Sequence, residues 1–271
     1  MKIREIINFL DDNLKLSEQE DWDNSGLQIG DYEMLVNGVV LALDLSEEVL
    51  DYAIKEKANL IITHHPFLFS KLKYIDFSTL QGKMISELIK NDISVISLHT
   101  SLDGAIYGMT QELAEKLAIK EYTVLHQFYT DELNNIFGFG GIGDIQSISI
   151  KEYANTIKKN LNCDIVKVYC NDLSNNISKV AFCGGSGAEF IEDAIAKSAD
   201  IYVTGDIKYH DAQYALNNGL SIIDAGHFHT ENNIFLDKIY DILSNKIYDN
   251  LSFKVNNLKK YIKNTVPEHI I

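Results

Sequence analysis

The residues best suited to chemistry in this chain of 271 amino acids are imidazoles and carboxylates that recur directly behind short apolar runs. Leu60-Ile61-Ile62-Thr63 reads as a buried strand and Pro66 stops it, so His64 and His65 stand in tandem where the strand runs out. Ile93 to Leu98 reads as another strand and delivers His99, with Asp103 four residues on. A third apolar run, Leu220 to Ile223, leads into Asp224-Ala225-Gly226-His227-Phe228-His229-Thr230-Glu231. If a helix begins there, His227 and Glu231 share one face. Adjacent strand side chains point to opposite sides, so His64 and His65 reach neighbouring ions only if the backbone turns at the strand end. Taken alone, each pair is explained as well by polar loop residues. Together the donors outnumber the four that one tetrahedral ion uses, which points to a pair of metals with a bridging carboxylate or water. Imidazoles interleaved with carboxylates suit Zn, Fe, Mn or Co and disfavour calcium, which wants oxygen only.

The elements that must position these groups alternate in type. The N-terminal stretch MKIREIINFLDDNL reads as an amphipathic helix with Ile3, Ile6, Ile7 and Leu10 on one face, not as a leader peptide. A polar loop around Trp22 follows, with Gly26 and Gly30 as turn formers, and Asp23 and Asn24 read as turn chemistry. Then come a strand at 39–43, a helix capped by Ser46 and running to about Lys57, the histidine strand at 58–63, a helix at 80–90, the His99 strand and a helix at 110–117. From Asn135 the texture restarts: a Gly-rich strand or hairpin at 137–143, a helix at 150–160 and a strand at 164–169. Such alternation implies βαβ units with a largely parallel sheet, and right-handed crossovers bring the carboxyl ends of the strands to one rim, where α/β proteins bind ligands.

A repeat lies within this pattern. Shifted by 141 residues, Val39-Val40-Leu41 falls on Val180-Ala181-Phe182, and 58–63 falls on 199–204 without a gap. With a shorter shift, 93–96 matches 220–223. The expected architecture is therefore α/β, two similar three-layer lobes produced by internal duplication, spanning 1–125 and 126–271. Where the first lobe has His64-His65, the second has Gly205-Asp206. The stretch from Asn245 to Ile271 resembles a strand plus a tail, and its last 25 or so residues belong to either lobe.

Composition excludes several classes. A net charge of −15 opposes a nucleic-acid partner, because phosphate binding needs clustered Lys and Arg. No apolar run approaches the length of a membrane span. Cys163, Cys170 and Cys183 form no CxxC pair and leave an odd count, so neither a disulfide framework nor a cysteine zinc site is expected, and a reducing cytoplasmic compartment is.

Taken in order, WDNSGLQIG, THHP, HTSLD, TGDIKYHDAQYA and DAGHFHTE resemble the Nif-three-like family of dinuclear-metal proteins, known as type 2 homologues of GTP cyclohydrolase I. The similarity runs through nearly the whole chain. It implies two α/β lobes with two divalent ions in the cleft between them, held by His64, His65, Asp103, His227 and Glu231. It further implies a homo-oligomer, hexameric in many members, and a nucleotide substrate opened by hydrolysis through a metal-bound hydroxide. Where the family continues HTxxD into a Gly-Gly-x-Asn turn, this chain has Tyr107-Gly108-Met109-Thr110, and Thr110 is expected to cap the next helix.

The leaving group of such a hydrolysis needs a proton. His99 is the first candidate to carry it and His210 the second, since Asp206 and Asp211 stand near His210 in sequence; alternatively His99 orients a ligand. His229 is read as a flank of the ligands, and His126 and His269 as surface residues. Cys183-Gly184-Gly185-Ser186-Gly187 ahead of a helix could cradle a phosphate, although such turns are often only tight turns. The competing function is a non-enzymatic metal-binding or regulatory interaction protein.

Overall fold

The computed structural model describes residues 1–244 and 257–264. In chain order its elements are α1 (Ile3–Leu14), β1 (Gly26–Ile29), β2 (Val39–Ala42), α2 (Glu47–Lys55), β3 (Leu60–Thr63), α3 (Leu80–Lys90), β4 (Ser94–Ser97), the short α4 (Thr100–Asp103), α5 (Met109–Lys116), β5 (Tyr122–Thr130), β6 (Ile136–Ser149), α6 (Ile150–Asn160), β7 (Lys167–Tyr169), β8 (Asn176–Ser186), α7 (Ile191–Ala196, entered through a 3-10 turn), β9 (Ile201–Gly205), α8 (Tyr209–Asn217), β10 (Ser221–Asp224), α9 (His227–Leu243) and β11 (Leu258–Lys260). Local chemistry accounts for their limits. Ser46 caps α2 by accepting the Val49 N–H, Thr79 caps α3 through Gly82, and Ser149 caps α6 through Glu152. α1 buries Ile3, Ile6, Leu10 and Leu14, whereas Ile7 is only half-buried. Thr110 is not a cap: Gly108 takes that position and Thr110 lies inside α5.

The chain forms two compact units. The first is Met1–Leu102 with the described residues from Phe235 onward; the second is Asp103–Ile234. The division falls ahead of the expected 125/126 boundary because α5 packs on β6 and β8 of the second sheet. The first unit's sheet has the order β1-β4-β3-β2-β11, with β2, β3, β4 and β11 parallel and β1 antiparallel at the edge. β11 settles the position of the C-terminal strand, which extends the first sheet beside β2; residues 245–256 and 265–271, which include His269 and most of the expected tail, lie outside the described residues. Val40, Val49, Ile61, Leu88 and Val95 form the core between this sheet and α2 and α3.

The second unit's sheet has the order β5-β6-β8-β9-β10-β7. Its centre, β8-β9-β10, is parallel, but β5, β6 and β7 run antiparallel to their neighbours. The sheet is therefore more mixed than the expected parallel one, and β5 is an element the sequence reading passed over. Its Tyr-Thr-Val-Leu run carries ordinary β-formers, so the signal was present. The glycines of β6 have a packing reason: a Cβ on Gly141 would enter the Phe182 ring.

Pairing registers bear out the duplication. Val39, Val40 and Leu41 pair with Leu60, Ile61 and Ile62, and the residues 141 positions later, Val180, Ala181 and Phe182, pair with Ile201, Tyr202 and Val203. Leu60 pairs with Ser94 as Ile201 pairs with Ser221. The likeness extends further than the matched strands: in each unit a helix leads into an antiparallel edge strand, β1 on β4 and β7 on β10.

Two measurements test this packing. Phe182 is fully buried, so Phe182→Ala should lower the stability to urea unfolding by about 3–5 kcal/mol. Burial, and secondarily Asp164, pushes the Cys163 thiol up to about 11. Its reactive thiolate is thus scarce at neutral pH and grows only as pH rises toward that value. Alkylation of the folded protein at about pH 8 should modify the more exposed Cys170 first, with Cys163 reacting only as alkali is added.

Candidate functional site

In the first unit the chemistry begins where β3 ends. His64 and His65 both donate their backbone N–H to one carbonyl, that of Leu43, at 3.2 and 3.0 Å. The strand alternation is lost at that point, and the two rings come to lie with centroids 4.9 Å apart. Thr63 locks the bend, its hydroxyl donating to the His65 carbonyl at 2.8 Å and meeting Ser97 Oγ at 2.9 Å. β4 ends alongside and supplies His99, whose ring lies 5.3 Å from His64 and 5.6 Å from His65. One ring nitrogen of each of the three lies within 4.8 Å of the others.

Each ring is oriented by a partner on Nδ1. His64 Nδ1 is 2.8 Å from the Leu98 carbonyl oxygen, His65 Nδ1 is 2.7 Å from Asp44 Oδ1, and His99 Nδ1 is 2.7 Å from Asp23 Oδ1. Carbonyl and carboxylate oxygens only accept, so Nδ1 carries the hydrogen in every case and the neutral ring presents its lone pair at Nε2. Asp23 is more than the turn residue expected of it. Its side chain is fully covered, and besides His99 it receives the Ser25 hydroxyl and both the N–H and the hydroxyl of Thr100. Burial works against its charge, but the hydrogen bonds from His99, Thr100 and Ser25 outweigh it and hold the carboxyl far below the usual carboxylate range.

In the second unit the equivalent rim is formed by the ends of β8, β9 and β10. His227 opens α9, and its Nδ1 is 2.7 Å from Asp206 Oδ2 while its Nε2 is 2.9 Å from Glu231 Oε2. Two lone-pair donors at that separation share one proton, and a divalent cation competes for the same place. Asp224, buried at the tip of β10, accepts the Gly226 N–H and steadies the turn into the helix. Thr230 donates back to the His227 carbonyl. Asp103 is half-buried on α4, immediately after Leu102. Burial first, then the negative charges of Asp103 and Glu231, push the Cys183 thiol well up.

The glycine turn at the end of β8 has two of its N–H groups already taken, which speaks against an anion cradle. The Gly185 N–H is taken by Thr230 Oγ1 at 3.0 Å and the Gly187 N–H by Thr204 Oγ1 at 3.1 Å. A Cβ at Gly185, which has φ +62°, would overlap Glu231 Oε1, so the missing side chain makes room for a carboxylate. A phosphate would meet that negative charge.

His210 sits exposed on the first turn of α8 against the Tyr209 ring. The carboxylates expected to act on it are engaged elsewhere: Asp206 holds His227, and Asp211 accepts the Lys208 N–H. His126 pairs with Asp193 at 2.9 Å, a surface role as expected, and His229 is half-buried against Phe228. The residues missed in the sequence are Asp23, Asp44 and Asp206, which orient His99, His65 and His227. Asp44 and Asp206 follow predicted strands and Asp23 lies in the predicted polar loop, but the partners of Asp23, Asp44 and Asp206 lie 76, 21 and 21 residues away.

Imidazole groups so held could hold a metal ion. The rings of His64, His65 and His99 are held at Nδ1 in the tautomer whose lone pair is on Nε2, and His227 is held at Nδ1 by Asp206; carboxylate–histidine pairing of this kind surrounds metal ligands because it raises their basicity and fixes ring orientation. Asp206 is a clean test, being half-exposed and outside the core. Asp206→Asn should weaken metal affinity about 10- to 100-fold in a chelator competition while leaving the circular dichroism spectrum unchanged. Unchanged affinity would show that the pairing is only a surface ion pair.

Comparison with known proteins follows the same lines. Residues 1–263 match the family model described as Duf34/NIF3 (NGG1p interacting factor 3). Curated relatives carry the name GTP cyclohydrolase 1 type 2 homolog. That of Streptococcus pneumoniae is 39% identical over 225 residues, 82% of each chain, and that of Clostridium acetobutylicum is 34% identical over 232 residues, 85% of each. Among solved structures, a Bacillus cereus protein related to NIF3 superposes with a TM-score of 0.89 at 26% identity, covering 100% of this chain and 99% of its own. Reduced HcgD from Methanocaldococcus jannaschii superposes at 0.78 with 29% identity, covering 96% and 97%.

Proposed function

For a chain that belongs to the Duf34/NIF3 family and carries histidines each tied at Nδ1 to an oxygen, we propose the function of a metal-dependent hydrolase acting on a nucleotide or related small molecule. The observation that carries the reading is that His64, His65, His99 and His227 are each tied at Nδ1 to a carbonyl or carboxylate. Two divalent ions per chain are proposed, drawn from Zn, Fe, Mn and Co, with His64, His65, Asp103, His227 and Glu231 as ligands. When bound, such ions supply Lewis acidity and make water acidic enough to ionise near neutral pH.

The chain's own residues do the rest. Asp44 and Asp206 hold their histidines in the binding tautomer, and Asp23 does the same for His99. His99 belongs to the same group of ring nitrogens as His64 and His65, so it serves either as a third nitrogen donor or as the proton carrier for the leaving group. The metal content of His99→Ala separates these roles: loss of metal marks a ligand, and full metal with lost turnover marks the proton carrier. His210, exposed and without those acidic neighbours, drops behind His99. The names of the curated relatives support a nucleotide substrate, GTP by analogy.

The family description, an interacting factor, favours a second reading as a metal-binding interaction protein. Metal-reconstituted protein screened against nucleotides and phosphoesters decides between them. Turnover of at least one substrate, lost by 10²-fold or more in Asp103→Asn with the melting curve unchanged, is expected of the hydrolase; about that order follows from removing one charged group from a reacting site. Elemental analysis should find transition metal, reduced in His227→Ala and Glu231→Gln without unfolding, since each unit has its own apolar core. No metal even after reconstitution removes the proposal. Residence in a reducing cytoplasm and assembly into a homo-oligomer, hexameric by analogy, belong to the same reading. No helix among the described residues is long and apolar enough to cross a membrane.

A further inference from the structure

Two aromatic rings stand exposed beside the histidine cluster of the first unit. Trp22 is 55% and Phe69 53% accessible, with centroids 6.0 Å apart and planes inclined by 52°. Trp22 also meets His99 edge to face at 5.8 Å. This exposure does not come from loose backbone. Asp23, next to Trp22, is fastened to His99 and Thr100, and Asn24 Nδ2 donates to the Leu68 carbonyl at 2.7 Å. The Leu68 N–H in turn donates to Gln28 Oε1 at 3.0 Å, so the loops that carry the two rings are tied to one another through their neighbours. Large aromatic side chains are ordinarily well covered, and a rigidly held, uncovered pair next to convergent polar groups is the signature of a surface that meets a ligand.

We propose that Trp22 and Phe69 form an aromatic corner that takes the planar heteroaromatic ring of a nucleobase and holds it beside His99. The spacing and tilt leave no slot for a ring between them. The base lies flat on the open indole face with an edge toward Phe69, the offset and edge-on contacts that aromatic quadrupoles prefer. Stacking of this kind recognises the base and ignores the sugar and phosphate. The proposal deepens the nucleotide reading above and rests on it for the choice of ring, but the corner contains no metal ligand, so ring binding is independent of metal.

Trp22 is the single tryptophan of the chain, so its emission reports the event directly. Full-length protein, metal-loaded and chelated, is titrated with guanosine 5′-monophosphate, with ribose 5-phosphate as the base-free control. The expected result is saturable quenching by the nucleotide in both forms and none by ribose 5-phosphate. Phe69→Ala should raise the half-saturating concentration about tenfold, as should Trp22→Leu followed by equilibrium dialysis, with Trp22→Tyr restoring affinity. Absence of quenching at millimolar nucleotide, equal quenching by ribose 5-phosphate, or unchanged binding by Trp22→Leu overturns the proposal. So does emission that shifts on dilution of ligand-free protein, which would mean that a second copy of the chain covers the corner. Saturable quenching without turnover of any substrate removes the hydrolase reading and leaves the corner standing. Turnover with an unaltered KM in Trp22→Leu does the reverse.

Discussion

The strand-end rims of both units depend on one interaction, found three times in the first unit and once in the second: an imidazole Nδ1–H held by a fixed oxygen. An unrestrained histidine rotates about two torsions and exchanges tautomers, so its lone pair points nowhere in particular. Here the acceptor is Leu98 O, Asp44, Asp23 or Asp206, and in each case it is delivered by a strand end or by the loop leading into a strand. Much else follows from delivering those acceptors. β2 must end at Ala42 so that Asp44 can turn toward His65, and the Leu43 carbonyl must accept two successive N–H groups. The loop at 20–25 must fold over Thr100 to bury the Asp23 carboxylate. Ordering these side chains in the protein before any ligand arrives removes an entropic cost from binding.

Duplication explains how such a layout arises twice without being copied. The two units share strand order and register, so equivalent strand ends reach equivalent rims. Yet the position of His65 in one unit is that of Asp206 in the other: a ring to be oriented in the first, an orienting carboxylate in the second. Asp44 likewise corresponds to Gly185, where a side chain has been given up so that Glu231 fits. The scaffold is constrained by packing of β2, β3 and β4 and their counterparts. The tips, outside the ladder, are free to exchange roles.

This division also sets what could be read from the amino acids. Short buried strands with Val, Ile and Leu announce themselves by composition and helices by caps such as Ser46 and Thr79, so most elements and the internal repeat were legible. The clustering of His64, His65 and His99 was foreshadowed by their place after strands. What could not be seen was pairing across distance. Nothing in the local sequence distinguishes Asp23, which binds His99, from Asp21, which is exposed. The sheet on which α5 packs was not legible for a related reason: helix periodicity does not name the sheet. The glycine turn at 183–187 was ambiguous because its N–H groups find hydroxyl partners on Thr204 and Thr230, distant in sequence.

The order in which the chain leaves the ribosome gives β11 a significance beyond its three residues. The second unit is one continuous segment and contains all its strands once residue 234 has been made. The first is discontinuous: β2 borders the sheet on a side that, among the described residues, β11 closes, in register Leu258 on Val39. Between the two lie about 200 residues, roughly ten to forty seconds of synthesis. Throughout that interval β2 presents a bare row of backbone donors and acceptors, the template on which strands of other chains add. When β11 arrives, side chains fasten it: Lys260 to Asp237 at 2.6 Å and over the Tyr240 ring, with Tyr261 and Lys263 both on Glu48. The nascent protein therefore carries its greatest exposure to misassembly in the half that was translated first.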